Sequence, residues 1–306
     1  MNKRVKFRPL NGIILLDKGK DISSNRALQN MRFLYQAEKA GHTGALDPLA
    51  TGLLPICFGE ATKFSQFLLD ADKTYQVTAK LGERTTTSDA EGEIVETRDV
   101  TVTAEQVIAE ALKFKGVSDQ QPSIYSALKY EGKPLYYYAR KGIDVPRPIR
   151  QITVYELSVD AIEFPYVTMT IACSKGTYIR TIVDDLGENL GCGAHVTELR
   201  RTQISGFDSA HMKTQAEFEQ LSAEQRDDLI ESCDAGILHI PLLTLPPDLT
   251  DRLRQGQRFV LPEQDSGLYR VYAEQENIFL GIVEIDDKKV VRAKRLLNTA
   301  KSLNEL

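Results

Sequence analysis

From residue 166 to 174 apolar and small residues alternate without a break. Val167, Met169, Ile171 and Cys173 fall on one side, Thr168, Thr170, Ala172 and Ser174 on the other. A period of two marks a strand with one buried face. Gly176 then turns the chain, and Ile179, Ile182, Val183, Leu186 and Leu190 follow at helical spacing, with Gly191 as the stop. This strand-turn-helix places Tyr178 and Arg180 in the first helical turn. Further helical stripes lie at 25–38 and 104–114, and strands are predicted at 74–81 and 149–161. The irregular alternation favours an α+β fold with a mixed, largely antiparallel sheet and flanking helices over a doubly wound parallel one. Residues 241–248 are rich in Pro and read as an extended linker. Beyond them short strands at 268–273, 278–284 and 290–293 suggest a small C-terminal β-barrel.

Residues 41–55 form a loop punctuated by Gly41, Gly44, Pro48, Gly52 and Pro55, in which a single carboxylate, Asp47, sits among Ala45, Leu46, Leu49, Leu53 and Leu54. A solvated loop normally carries several polar side chains. A lone carboxylate in apolar surroundings is a candidate for reactivity. The plainer alternative is an Asp-Pro turn in which the Asp47 side chain accepts a backbone N–H two residues on. To act as a nucleophile Asp47 must stay ionised despite desolvation, which calls for a nearby cation. Arg180 suits that need, because a cation in the first turn of a helix faces the positive end of the helix dipole and gains from a carboxylate beside it.

At every fixed position the loop resembles the active-site motif G-H-x-G-x-L-D-P-x-A-x-G-x-L-P of the TruB family of pseudouridine synthases. Three more segments resemble family elements in order: Lys73-Thr74-Tyr75 the K-x-Y element, Gly176-Thr177-Tyr178-Ile179-Arg180 the G-T-Y-I-R element, and Leu199-Arg200-Arg201-Thr202 the L-R-R-T segment. With Gly256, Gly281 and Lys294-Arg295-Leu296, which resemble a PUA domain, the likeness covers nearly the whole chain. Two departures stand out. Where the family reads L-D-K-P-x-G-x-T-S, the chain has Leu16-Asp17-Lys18-Gly19-Lys20-Asp21-Ile22-Ser23-Ser24, and Gln120-Gln121-Pro122-Ser123 lacks the second Pro of Q-x-P-P.

The resemblance implies the pseudouridine synthase fold over residues 1–245, with an RNA-contacting insertion at about 122–150, and a PUA-like RNA-binding domain over 246–306. It implies isomerisation of uridine 55 in the T-loop of tRNA, with Asp47 as nucleophile and Arg180 as its partner. By the same likeness Tyr75 stacks on the flipped uracil and takes part in proton transfer, Tyr178 and Leu199 line the pocket, and His42 occupies the space the base vacates. Isomerisation breaks one C–N bond and makes one C–C bond without net redox change, so a carboxylate nucleophile suffices. The chain has no P-loop, dinucleotide fingerprint or metal-ligand spacing, and neither cofactor nor metal is expected.

Composition limits the remaining classes. Cys57, Cys173, Cys192 and Cys233 form no C-x-x-C pair, which argues against zinc and disulfides and for a reducing, cytoplasmic setting. The apolar run 13–16 is too short for a signal segment, and no membrane association is expected. A net charge of -5 hides the distribution. Glu217, Glu219, Glu224, Asp227, Asp228, Glu231 and Asp234 read as the solvated face of helices, whereas Lys3, Arg4, Lys6 and Arg8 cluster near the start. Lys129, Lys133, Arg140, Lys141, Arg147 and Arg150 interleave with Tyr125, Tyr130, Tyr136, Tyr137 and Tyr138. Bases mixed with aromatics suit a looped RNA, and Lys18, Lys129, Lys133, Arg140, Lys294 and Arg295 are the expected contacts to tRNA, at its T-loop and acceptor/T-arm region. A monomer without an obligate protein partner is expected. The competing readings are a tRNA-folding chaperone with secondary catalysis and a guide-RNA-dependent, dyskerin-like synthase.

Overall fold

The structure is a computed structural model and describes residues 6–204 and 206–298. Lys3 and Arg4 of the first basic cluster lie outside the described residues. The chain runs β1 (Gly12–Lys18), α1 (Ser24–Leu34), β2 (Ala40–His42), β3 (Thr51–Phe58), α2 (Ser65–Asp70) and β4 (Lys73–Leu81). The hairpin of β5 (Glu83–Thr85) and β6 (Ile94–Thr97) follows, then α3 (Ala104–Leu112), β7 (Gly116–Gln120), the small hairpin of β8 (Lys129–Tyr130) and β9 (Lys133–Pro134), and α4 (Leu135–Ala139). The long pair β10 (Arg150–Glu163) and β11 (Tyr166–Cys173) leads to α5 (Ile179–Asn189), β12 (Ala194–Ile204), β13 (Phe207–Asp208), β14 (Lys213–Thr214), α6 (Gln215–Gln220) and α7 (Ala223–Asp227). The last part comprises β15 (Leu242–Leu245), α8 (Pro247–Arg254), β16 (Phe259–Val260), β17 (Gly267–Ala273), β18 (Ile278–Ile285) and β19 (Val290–Leu296).

The large sheet has the order β14-β1-β3-β12-β4-β11-β10-β7, with β2 on β3 and β13 on β12. Only β1 with β14 and β3 with β12 pair in parallel, so the sheet is mixed and largely antiparallel, as the sequence leads one to expect. The alternation along β11 puts Val167, Met169, Ile171 and Cys173 into the core, under Ile179, Ile182, Val183 and Leu186 of α5. Gly52 carries the close approach of β3 to β12. Its φ is +99°, and a Cβ there would lie 2.3 Å from the Arg201 carbonyl.

The predicted helix at 25–38 is shorter. Ser23 caps its start, accepting from Arg26 N–H, but after Leu34 the chain turns left-handed at Gln36, with φ 53°. The second sheet, order β15-β17-β18-β19-β16, curls over its own core of Leu245, Leu253, Phe259, Val271, Val283 and Val291 and supplies the small C-terminal β unit. Residues 241–248 are not an extended linker. They form β15, which pairs in parallel with β17, and the start of α8, where Pro247 occupies the first helical position that proline tolerates.

Asp234 also departs from the solvated face expected of it. It is 1% exposed and accepts from Arg270 Nη1 at 2.7 Å, Tyr272 Oη at 2.9 Å and Ser232 Oγ at 2.7 Å. Phe64, Ile237, Ile240, Phe279 and Ile282 complete an apolar seam between the two sheets. Among the described residues no helix is long and apolar enough to cross a membrane.

Candidate active site

Asp47 lies in the loop between β2 and β3, and the local chain closes this turn without using its side chain. Ala50 N–H donates to the Asp47 carbonyl at 3.1 Å. The carboxylate instead faces α5, with Oδ2 3.0 Å from Arg180 Nε. The turn-holding reading of Asp47 therefore gives way to the ion pair.

Several anchors fix the loop in space. Ser24, at the start of α1, donates from Oγ to the Leu46 carbonyl at 3.0 Å and accepts from Leu46 N–H at 2.7 Å. Asp21 N–H donates to the Pro48 carbonyl at 2.9 Å. Arg201 of β12, 1% exposed, donates from Nε to the Leu53 carbonyl at 2.8 Å and from Nη2 to the Gly44 carbonyl at 3.1 Å. Lys18, at the end of β1, is also 1% exposed, and its ammonium donates to the carbonyls of Gly19, Ile22 and Pro48 at 2.9, 2.7 and 3.3 Å. Lys18 is thus not a surface contact for phosphate as expected. It braces the β1–α1 loop against the Asp47 loop, and burial pushes its ammonium down to about 8.

Arg180 is buried and fully engaged. Besides Asp47 it donates from Nη1 to the Thr87 carbonyl and to Asp89 Oδ2, both at 3.1 Å, and from Nη2 to the Tyr125 carbonyl at 2.9 Å. Although 42% of the Asp47 side chain is open to the cleft, desolvation on its other sides raises its pKa above the ordinary carboxylate value. Arg180 and, more weakly, Lys18 oppose that rise, and Asp89 adds to it.

Asp89 is the residue that sequence reading misses. It stands in the run 85–92, Thr-Thr-Thr-Ser-Asp-Ala-Glu-Gly, which reads only as a polar turn. In the fold it is 2% exposed, accepts from Thr87 Oγ1 at 2.5 Å and Glu91 N–H at 3.1 Å, and sits on the far side of the Arg180 guanidinium. A second carboxylate thus stands near Asp47, on the same guanidinium. Buried and held by these donors and by Arg180 Nη1, it positions Arg180 and is not arranged as an acid or base. Arg201 stands in the L-R-R-T segment, but its bracing role is not legible there, since its partners are the carbonyls of Leu53 on β3 and of Gly44 in the loop before it.

Tyr75 on β4 is aligned with Arg201 on β12 and Ile171 on β11. Burial raises its phenol, and the Arg201 charge opposes this. Leu199, 8% exposed, is aligned with Val77, two residues along β4 from Tyr75. Tyr178 caps α5, two residues before Arg180, and Gln120 on β7 holds its main chain from both sides: Tyr178 N–H donates to Gln120 Oε1 at 2.8 Å, and Gln120 Nε2 donates to the Tyr178 carbonyl at 3.1 Å. His42 ends β2, with Nδ1 buried and unpartnered, and burial lowers its pKa, Arg201 adding to the effect.

The remaining expected contacts lie apart from this cluster. Lys129, Lys133 and Arg140 are exposed on the β8–β9 hairpin and just after α4, with the Lys133 ammonium 4.7 Å from the Tyr137 ring centroid and the Arg140 guanidinium 5.4 Å from that of Tyr136. Lys294 and Arg295 are exposed on β19, and Lys294 pairs with Glu284 at 3.2 Å. Chemically, the centre offers one partly exposed carboxylate held by a fixed guanidinium, with a tyrosine on β4, across β12 from β3. Among the described residues no group of three or more His, Cys, Asp or Glu could hold a metal ion.

Known proteins share this arrangement of sequence. The family model described as TruB family pseudouridylate synthase (N terminal domain) matches residues 32–179. A tRNA pseudouridylate synthase B C-terminal domain matches 180–241, and a pseudouridine synthase II TruB C-terminal domain matches 241–297. The chain is 55% identical to tRNA pseudouridine synthase B of Vibrio parahaemolyticus, covering 97% of this chain and 98% of that one. It is 52% identical to the protein of the same name from Aliivibrio fischeri, over the same shares. Among solved structures it resembles a chain of a Cbf5-Nop10-Gar1 complex, with a TM-score of 0.69 and 23% identity over 93% of this chain and 80% of that one. A chain of the archaeal box H/ACA sRNP Nop10-Cbf5 complex is similar at a TM-score of 0.70 and 20% identity, over 96% and 88%. These two likenesses concern the fold.

Proposed function

This chain belongs to the TruB family of pseudouridine synthases, and we propose that it converts uridine 55 in the T-loop of tRNA to pseudouridine with Asp47 as nucleophile. As a tRNA pseudouridine synthase it is an isomerase. The observation that carries the assignment is the 3.0 Å contact between Arg180 Nε and Asp47 Oδ2, because it supplies the one thing a desolvated carboxylate nucleophile lacks, a fixed cation. A guanidinium that also touches Asp89, Thr87 and Tyr125 cannot follow the carboxylate as it reacts. It stabilises the ionised state without reorganising, as a preorganised site requires.

A uridine within a folded loop is out of reach until it leaves its stack. In the proposed sequence the base flips toward Asp47, Tyr75 takes one face of the ring, and Tyr178 and Leu199 border it. Asp47 bonds to the nucleotide as the N1 glycosidic bond breaks, the base rotates, C5 joins the sugar, and the Asp47 bond breaks to free the carboxylate. C5 then loses its proton and N1 gains one, so that the product is an isomer of the substrate, with Tyr75 taking part in the transfer. His42, kept neutral by burial, fills the place the base leaves.

The exposed bases and rings of 122–150 are proposed to grip the T-arm, with Lys294 and Arg295 holding the acceptor side. We assign the residues before β15 to the catalytic domain and those from β15 onward to a PUA-like domain, a boundary a few residues earlier than 245 because β15 pairs with β17, and place the enzyme in the cytoplasm as a monomer. The test is to incubate the purified protein with an unmodified tRNA transcript and map pseudouridine by carbodiimide labelling and primer extension. A single stop in the T-loop, absent with Asp47→Asn although that variant still binds tRNA, is the expected result. Binding without modification by the wild type would favour the chaperone reading, and full turnover by Asp47→Asn would remove Asp47 as the nucleophile.

A further inference from the structure

We propose that a charged stripe along α5 sets the register of that helix against the β5–β6 hairpin, and that Arg84 is a positioning residue which thereby aims Arg180 at Asp47. The inference rests on the reading of Asp47 as the nucleophile. Arg180, Asp184 and Glu188 are spaced by four and so share one face of α5. Opposite them the hairpin presents the complementary sign at each turn. Asp89 meets Arg180 at 3.1 Å, and Arg84 clasps Asp184 with two bonds, from Nε at 3.0 Å and from Nη2 at 3.1 Å. Arg84 also lies 3.3 Å from Glu188, which pairs with Arg98 at 2.9 Å, and Arg98 returns to Glu96 on β6 at 2.6 Å.

The pattern of signs matters more than the strength of any pair. Arg84, Asp184 and Glu188 are 30%, 21% and 39% exposed at the side chain, where single ion pairs add little. A slip of α5 by one turn, about 5.4 Å, would bring Asp184 to Asp89 or Arg180 to Arg84, like charge against like in either direction. The helix lies directly on the start of β12 at Gly187, where a Cβ would come within 2.1 Å of Ala194 N, so contact there sets depth and blocks the slip that would bring Val183 to that place, whereas the charges oppose a slip in both directions. The hairpin itself is fixed to β12 by Ala90 N–H to the Val196 carbonyl at 2.8 Å and Val196 N–H to the Ser88 carbonyl at 3.1 Å. It serves as the reference against which α5 is placed. Arg84 touches no reacting atom and acts only through Arg180.

The experiment compares Arg84→Glu, Arg84→Gln and the swap Arg84→Glu with Asp184→Arg in the full chain. Single-turnover pseudouridine formation at saturating tRNA is measured across pH, with tRNA affinity and thermal melting in parallel. Arg84→Glu is expected to slow the reaction by about tenfold at unchanged affinity, since small misplacements of a reacting group cost that order of rate. It should also move the acid limb of the rate profile to higher pH, because Asp47 loses part of its cation. Arg84→Gln should do the same to a smaller degree. The swap should leave rate and limb impaired, because the new cation on α5 can now meet Asp89, and the new acid on β5 can meet Arg180 and also faces Glu188. Recovery of the wild-type rate by the swap would overturn the register reading. A wild-type rate and limb in both single variants overturns the inference, as does a loss that follows the fraction folded with the limb unmoved. Asp47→Asn run alongside separates the two readings: if it stays active both fall, whereas an inactive Asp47→Asn beside an unaffected Arg84→Glu removes only the register device.

Discussion

Arg180 and Asp89 form an ion pair at 3.1 Å in which both side chains are almost entirely buried, at 6% and 3% exposure. Removing one partner of such a pair leaves an uncompensated charge, at a cost of about 3–5 kcal/mol. Asp89→Asn keeps the shape and loses the charge. It should melt at lower temperature and turn over about 100-fold more slowly, with the guanidinium drawn toward Asp47 and no longer held behind it. Affinity for tRNA should be unchanged, since phosphate contacts determine it. A normal single-turnover rate in a folded Asp89→Asn would show that Arg180 needs no support on that side.

The pH dependence follows from the same cluster. Desolvation raises the Asp47 pKa, and Arg180 opposes the rise. Asp47 must be ionised to attack, so activity is full above its pKa and lost as pH falls through it. The acid limb of kcat/KM should therefore lie above the ordinary carboxylate range, and Arg180→Lys, which gives up the Nε contact, should move it higher still. A profile flat down to the pH of an exposed aspartate would contradict the assignment.

How much of this was legible in sequence differs by kind of interaction. The β11–α5 unit was readable because its periodicity is local, and Asp47, Tyr75, Tyr178 and Arg180 stood out because motif and setting agreed. Asp89 was not readable, nor was the role of Arg201 within its motif. Asp89 has local donors in Thr87 and Glu91, but the partner that gives it a role, Arg180, lies 91 residues away, and the partners of Arg201 are distant main-chain carbonyls, which no local pattern encodes. Lys18 was misplaced for the opposite reason, since a lysine in a polar loop looks solvated until three carbonyls close on its ammonium.

Gly19, which replaces the proline usual in the family, offers a gain in stability. A Cβ built there meets nothing within 4 Å, and Gly19 is not among the glycines with positive φ. Gly19→Ala should therefore raise stability by about 0.4–1 kcal/mol, by restricting the unfolded chain. Urea unfolding of the two proteins decides it, and a loss would mean that the Lys18 bond to the Gly19 carbonyl depends on a backbone that alanine disturbs.

Residues 128–149 carry the two-residue strands β8 and β9 and the five-residue α4, with Leu135 and Val145 as their buried apolar side chains. So few buried contacts give local opening a low free energy. Hydrogen exchange in the free protein should show weak protection here against strong protection in β4, β11 and β12, and binding of a tRNA transcript should raise it. Strong protection without RNA would contradict the role of this segment as a grip that closes on the T-arm.

Asp234 joins the second sheet to the first, and its burial predicts the outcome of its loss. Its carboxylate accepts from Arg270, Tyr272 and Ser232, and Arg270 also donates from Nε to the Ile240 carbonyl at 2.9 Å. Asp234→Ala strands Arg270 in an apolar seam, at a cost of about 3–5 kcal/mol. Calorimetry should show a melting temperature lower by roughly 10 °C, on the scale of 2–4 °C per kcal/mol for a chain of this size. The Phe64–Phe279 contact, 5.3 Å between centroids, lies in the same seam and should loosen with it, opening the chain around residues 238–242 to limited proteolysis. Asp234 bonds to no residue of the Asp47 centre. The folded fraction of Asp234→Ala should thus keep the single-turnover rate at saturating tRNA and lose affinity, the split expected if β15–β19 holds the acceptor side of the substrate. A loss of rate at saturation would instead tie the small domain to the placement of the uridine itself.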